Sequence, residues 1–157
     1  MKKGLKLNLK KILFSMKNIK FPGRLEIIRK KNKNIILDIA HNFNGFKYFR
    51  KSIIKIYSNR KLYFIIGILD DKEKIKMLNK ILDIGFYFVV TRPNNPRSKK
   101  YKSVYDFIKE KNKIVFLEVN IKKAIIKIIK KMTSKDLLCI IGSSYIIKEA
   151  RKFLISN

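Results

Sequence analysis

The sequence is poor in the residues that most often announce a mechanism. Of 157 residues one is cysteine, one is histidine, three are proline, six are glycine and none is tryptophan. A lone Cys139 excludes an internal disulfide, and one cysteine with one histidine excludes a structural zinc site of the usual kind. Cys139 lies in the apolar run Leu137 to Ile141, where a thiol is an inert core residue rather than a nucleophile. No G-x-G-x-x-G and no G-x-x-x-x-G-K-[ST] is present, so neither the dinucleotide fingerprint nor a P-loop is encoded. A Ser-His-Asp triad is unsupported, because His41 is the one imidazole and nothing ties it to a serine. No apolar run approaches the roughly 20 residues that a membrane helix needs. No metal site is expected in these residues, and a reducing, cytoplasmic setting fits the cysteine usage.

Acids are also scarce: 11 Asp and Glu stand against 39 Lys and Arg, a net charge of +28, and none precedes Glu26. Such a balance invites polyanions. The lysines are scattered along nearly every segment, however, and isoleucine and asparagine are abundant too, as an AT-rich coding sequence would favour. Solvated faces plus coding bias are the first reading, with non-specific attraction to nucleic acid at low salt.

What is present is a clear alternation. The opening lysine-rich segment places Leu9, Ile12, Leu13 and Met16 at helical spacing, so residues 1–20 are read as a helix or linker. Pro22-Gly23 breaks the chain. Leu25 to Arg29 and Ile35 to Asp38 read as strands joined by a polar, hairpin-like connection. Helices are predicted over Asn44 to Tyr57, Lys72 to Leu82, Ser103 to Glu110, Ile121 to Met132 and Ser144 to Leu154. Strands are predicted over Leu62 to Leu69, Phe86 to Thr91, Ile114 to Leu117 and Leu137 to Ile141. This predicts one α/β, Rossmann-like three-layer domain over residues 21–157. Its sheet is mainly parallel with an antiparallel amino-terminal strand, and helices cover both faces. Right-handed crossovers then bring the loops after the parallel strands to one edge of the sheet.

That edge collects the chemistry. Asp38-Ile39-Ala40-His41-Asn42 follows the apolar run Ile35-Ile36-Leu37, at the point where a buried strand surfaces, and ligands of open α/β sheets bind there. Asp38, His41, Asn42, Lys72, Arg92 and Ser143 suit anions and hydroxyls: cations for phosphate or carboxylate, a carboxylate for ribose, amides at helix starts. Each residue alone has a plainer reading. Asp38 and Ser143 serve as helix caps, His41 as a structural imidazole, Asp70-Asp71-Lys72 as a solvated cap, and Arg24 as a surface cation.

Phe21-Pro22-Gly23-Arg24-Leu25-Glu26, Ile36 to Asn42, Gly67-Ile68-Leu69-Asp70-Asp71-Lys72, Thr91-Arg92-Pro93 and Gly142-Ser143-Ser144-Tyr145 resemble, in order, the carboxy-terminal domain of folylpolyglutamate synthase/dihydrofolate synthase. That family belongs to the wider Mur ligase group. The resemblance implies an ATP-dependent ligase that activates a folate carboxylate as an acyl phosphate, which the amine of L-glutamate attacks. It implies ATP contacts at Arg24 and Asp38, a catalytic His41, and glutamate contacts at Lys72 and Ser143, with Asn42 and Arg92 as further candidates. The sequence departs from the family in having Ile39 after the aspartate, Phe43 after the asparagine and Ser144 in place of leucine. The resemblance further implies a P-loop domain, on this chain or a separate one, holding most of the magnesium and folate contacts, without which these residues are inactive. The alternative at this stage is a small basic α/β module that binds nucleic acid, and whether the lysines form one stripe interleaved with Phe or Tyr separates the two.

Overall fold

A computed structural model describes residues 21–156. The expected helix over residues 1–20 lies outside the described residues. Six strands form one sheet in the order β1-β2-β6-β3-β4-β5. They are β1 (Glu26–Lys30), β2 (Lys33–Asp38), β3 (Leu62–Gly67), β4 (Gly85–Val90), β5 (Val115–Leu117) and β6 (Leu137–Gly142). β1 pairs antiparallel with β2, and every other pairing is parallel. Among the described residues five α-helices accompany the sheet: α1 (Phe43–Tyr57), α2 (Lys74–Leu78), α3 (Lys102–Glu110), α4 (Ile121–Lys131) and α5 (Ser144–Ile155). The predicted class, layer order and antiparallel amino-terminal strand are therefore observed.

The apolar strands read as continuous runs because both faces of the sheet are covered. Successive residues part to opposite sides. Ile36, Phe64, Phe88, Cys139 and Ile141 pack with Phe46, Phe49 and Ile53 of α1 and with α2 and α3. Ile35, Leu37, Tyr63, Ile65, Leu138 and Ile140 pack with Ile125 and Ile128 of α4 and with Ile146, Ile147 and Ala150 of α5. Cys139 is fully enclosed, and burial pushes its thiol far above the usual range, so it stays protonated.

The β1–β2 connection is a two-residue turn. Lys31 and Asn32 both adopt positive φ, 48° and 58°, as the hairpin turn whose twist matches the flanking strands demands. Each parallel strand then ends at the same edge, with Asp38 opposite Ile141 and Gly67 opposite Gly142. Gly142 sits there at φ 133° with the Gly67 carbonyl against its Cα, an approach no side chain permits.

The main departure from the predicted elements is α2, which covers only Lys74–Leu78 of the expected Lys72 to Leu82. Before it, the Asp70 carboxylate accepts hydrogen bonds from the Lys100 amide at 3.0 Å and from Lys74 Nζ at 2.7 Å, holding the chain in a turn. After it, Ile81 N donates to Leu78 O and Lys80 N to Met77 O, the tighter bonding of short helical turns. Ile81 and Leu82 are buried, so packing holds this stretch without regular helix. β3 likewise stops at Gly67, although Ile68 and Leu69 stay buried, because Asp70 N bonds to Arg97 O instead of continuing the ladder. Among the described residues no helix is long and apolar enough to cross a membrane.

Candidate functional site

Two loops and helix α1 build one cavity of about 350 Å³ at the carboxyl end of β2, with Arg24, Asp38, His41 and Asn42 in its lining. Its floor is set by Asp38. One carboxylate oxygen accepts the Leu25 amide at 2.8 Å and the other accepts the Ala40 amide at 2.8 Å. The first bond ties the Pro22–Gly23 turn to the end of β2, and Ile39 N to Gly23 O at 2.7 Å ties it again. Burial raises the Asp38 carboxyl above the ordinary value of 3.8, and its two amide bonds and the nearby Arg24 offset this only in part. Each carboxylate oxygen keeps a lone pair, which is what a ribose hydroxyl would need.

Glu26 anchors the same turn from the other side. Its carboxylate accepts the Gly23 amide at 2.7 Å and the Arg151 Nε at 2.9 Å, coupling the turn to α5. Gly23 takes φ 76°, and a Cβ there would press on Ile39 and Ile147 at 2.8 Å. Ile39, the residue that departs from the family pattern, thus lies over Gly23 and is accommodated by it.

His41 is exposed, and its Nδ1 lies 3.0 Å from Ile39 O. A carbonyl can only accept, so Nδ1 carries the proton and, in the neutral ring, Nε2 presents its lone pair. Asn42 caps α1: its side-chain oxygen accepts the Gly45 amide at 2.8 Å, and its NH₂ group is left to donate to a ligand. The structure therefore adds a structural duty to both Asp38 and Asn42. Tyr48 and Ser52 also line this cavity. With Gly45 they stand at steps of three and four along α1, a spacing readable in the sequence once the Asn42 cap is placed.

The remaining predicted residues lie at the same edge but not in this cavity. Ser143 follows β6, donates its amide to Gly67 O at 2.8 Å and caps α5. It is 3% exposed, and its Oγ is buried with no hydrogen-bond partner. Lys72 lines a separate groove of about 420 Å³ between α2 and α3, with its Nζ 2.9 Å from Asp71. Arg92 lines a third, of about 500 Å³, with Asn94, Asn120 and Glu149, and its guanidinium stands 5.9 Å from the Tyr101 ring. Among the described residues no group of three or more His, Cys, Asp or Glu is placed to hold a metal ion.

The family model described as the Mur ligase glutamate ligase domain matches residues 23–144. A dihydrofolate synthase/folylpolyglutamate synthase of Buchnera aphidicola subsp. Schizaphis graminum is 30% identical over 149 residues, covering 93% of this chain and 34% of that protein. A folylpolyglutamate synthase of Thermotoga maritima superposes with a TM-score of 0.78 at 33% identity, over 96% of this chain and 34% of that one. The Yersinia pestis bifunctional folylpolyglutamate synthase/dihydrofolate synthase, solved with AMPPNP and a Mn ion, gives a TM-score of 0.79 over 92% of this chain and 34% of that one. Its 17% identity speaks for the fold alone. The chain spans about a third of the length of these relatives. With the family model spanning residues 23–144, most of the described residues, this chain belongs to the Mur ligase glutamate ligase domain family.

Proposed function

We propose that these residues are the glutamate- and nucleotide-contacting part of an ATP-dependent ligase that adds L-glutamate to folate through an acyl phosphate. The observation that carries the reading is the convergence of Arg24, Asp38, His41 and Asn42 on one cavity at the carboxyl edge of the sheet. Arg24 makes no ion pair within 4.0 Å among the described residues, and it offers a guanidinium to the phosphates of ATP. Asp38, fixed by two backbone amides, offers its spare lone pairs to the ribose. His41 Nε2 accepts a proton from the attacking amine. The unpartnered Ser143 hydroxyl at the start of α5 holds a glutamate carboxylate, helped by the helix terminus, and Lys72 supplies charge from the adjoining loop.

The residues present do not fit a magnesium site, so no step is routed through the ion here. A P-loop domain would hold it, together with the phosphates and most of the folate. Positioning and charge stabilisation are then the contribution of this domain. We expect the chain by itself neither to hydrolyse ATP nor to add glutamate.

Complementation tests this. Mixed with a P-loop ligase domain of the same family, the chain should support glutamate incorporation into a folate acceptor. Arg24→Ala should weaken apparent ATP affinity and Lys72→Ala apparent glutamate affinity. Each loses a charged hydrogen bond, about 1.5–3 kcal/mol or roughly ten- to a hundredfold. Unchanged affinities in an active mixture would show the roles are misassigned.

A further inference from the structure

The other end of the sheet carries a feature that the ligase reading does not use. At the amino ends of β3 and β4, and on the edge strand β5, four aromatic rings run together. Tyr63 lies 5.6 Å from Phe86 and 5.6 Å from Tyr87, and Tyr87 stacks on Phe116 at 5.1 Å with an interplanar angle of 16°. The register shift at Leu62/Tyr63, where Tyr63 pairs with Tyr87 past Phe86, is what sets Phe86 beside this row. Phe86 and Phe116, at the two ends, are 42% and 38% exposed.

Lysines from two separate segments, the residue before β3 and helix α4, stand over these rings. Lys61 Nζ is 4.8 Å from the Phe86 centroid, Lys127 Nζ is 4.8 Å from Phe116, and Lys131 Nζ is 5.7 Å from Tyr87. Phe43, Tyr101 and Tyr105 also carry a cation but have no ring neighbour among the described residues. Charge nearby is of one sign. From Lys122 to Lys135 the chain holds Lys122, Lys123, Lys127, Lys130, Lys131 and Lys135, all exposed, and no carboxylate. The next acid, Asp136, is buried and turned inward on the amide and hydroxyl of Thr133. Glu118, beside β5, accepts the Asn120 amide. The Tyr87 hydroxyl is buried and has no partner.

We propose that this row of rings and lysines is a binding surface for a single-stranded polynucleotide, separate from the ligase cavity. Phe86 and Phe116 stay partly exposed and offer aromatic surface to unpaired bases, and the ammonium groups beside them match the phosphates between the bases. A polyanion without bases would use the lysines but not the rings, and a duplex would keep its bases from them. The proposal does not rest on the ligase reading, because Asp38 and His41 lie at the opposite ends of the strands.

The test uses the full chain and a labelled oligothymidylate of about 12 nucleotides, with anisotropy read between about 50 and 200 mM salt. Heparin, a duplex of equal length and vesicles of anionic phospholipid serve as comparators. The single strand should be preferred over the duplex and the vesicles. The double variant Phe86→Ala, Phe116→Ala should lose roughly five- to a hundredfold in affinity for it, with heparin binding unchanged. The double variant Lys127→Ala, Lys131→Ala should weaken both ligands and lower the salt slope by about two. Phe116→Leu retains apolar cover without a ring, and a thermal melt beside it separates lost stacking from lost fold. Equal loss for heparin, unchanged binding in folded ring variants, or tighter binding to duplex or vesicles would each overturn the proposal.

Discussion

Replacing Ser143 by alanine should make the protein more stable and the ligase worse. A serine at a helix N-cap normally contributes about 0.5–2 kcal/mol, because its oxygen accepts an amide of the first turn. Ser143 makes no such bond. Its hydroxyl is instead enclosed at 3% exposure with no partner, so the folded state carries the desolvation of a polar group uncompensated. Ser143→Ala removes that hydroxyl and keeps the amide bond to Gly67 O at 2.8 Å. The expected gain is about 1 kcal/mol, with a rise in Tm of about 2–4 °C for a domain of this size. If the hydroxyl waits for a glutamate carboxylate, the same change should raise the glutamate concentration needed for half-maximal rate by roughly ten- to a hundredfold in the complemented enzyme. Circular dichroism on heating reads the first effect, and glutamate incorporation with glutamate varied reads the second. A lower Tm would refute the stability argument, since it would mean the oxygen serves the fold. A higher Tm with unchanged glutamate dependence would refute the assignment to glutamate.

Gly142→Ala should destabilise by about 3 kcal/mol, because φ 133° is open to glycine alone and the added Cβ would meet the Gly67 carbonyl; chemical denaturation checks it. Asn120→Ala should remove about 1 kcal/mol, since its side chain accepts the amides of both Lys122 and Lys123 at the start of α4; the same measurement applies, and no change would show the cap is idle. Asp70→Asn should flatten the acid limb of a stability-against-pH profile. Burial raises the Asp70 carboxyl, but the Lys74 ammonium and the Lys100 amide outweigh it and hold it below 3.8, so the stability it adds is present above that value and lost as pH falls through the depressed one.

The fold was legible because the apolar runs were short and bounded. Ile35-Ile36-Leu37 and Leu137 to Ile141 are too short for buried helices and too continuous for a half-exposed sheet, which leaves strands covered on both faces. α2 was not legible. Ile75, Met77, Leu78, Ile81 and Leu82 keep a helical rhythm, and only the long-range bonds of Asp70 to Lys100 and of Asp70 N to Arg97 O show why the chain turns instead. In the candidate site, residue identities were readable from the motifs but not their duties. Leu25 lies 13 residues from Asp38 and Arg151 lies 125 from Glu26, so neither contact leaves a local trace. Lys61 precedes β3 while Lys127 and Lys131 lie on α4, so the aromatic row they cover was invisible in a sequence where lysine is everywhere.

Asp38 shows why the site is hard to separate from the fold that carries it. Burial raises its carboxyl, so the folded protein holds a proton there more tightly than the unfolded chain does. By linkage, this group subtracts stability as pH rises from 3.8 through the raised value, the reverse of Asp70. An asparagine would avoid that loss but could accept only one of the two amides, leaving Leu25 N or Ala40 N facing an NH₂ group, a mismatch worth about 1–3 kcal/mol. A carboxylate is thus the one side chain that closes the turn of Pro22–Gly23 onto β2 with both oxygens while leaving lone pairs open to the cavity. The residue that braces the loop is also the one that would meet the nucleotide. Asp38→Ala should therefore lose stability and ATP affinity together, and the two are resolved by assaying well below the variant's own Tm.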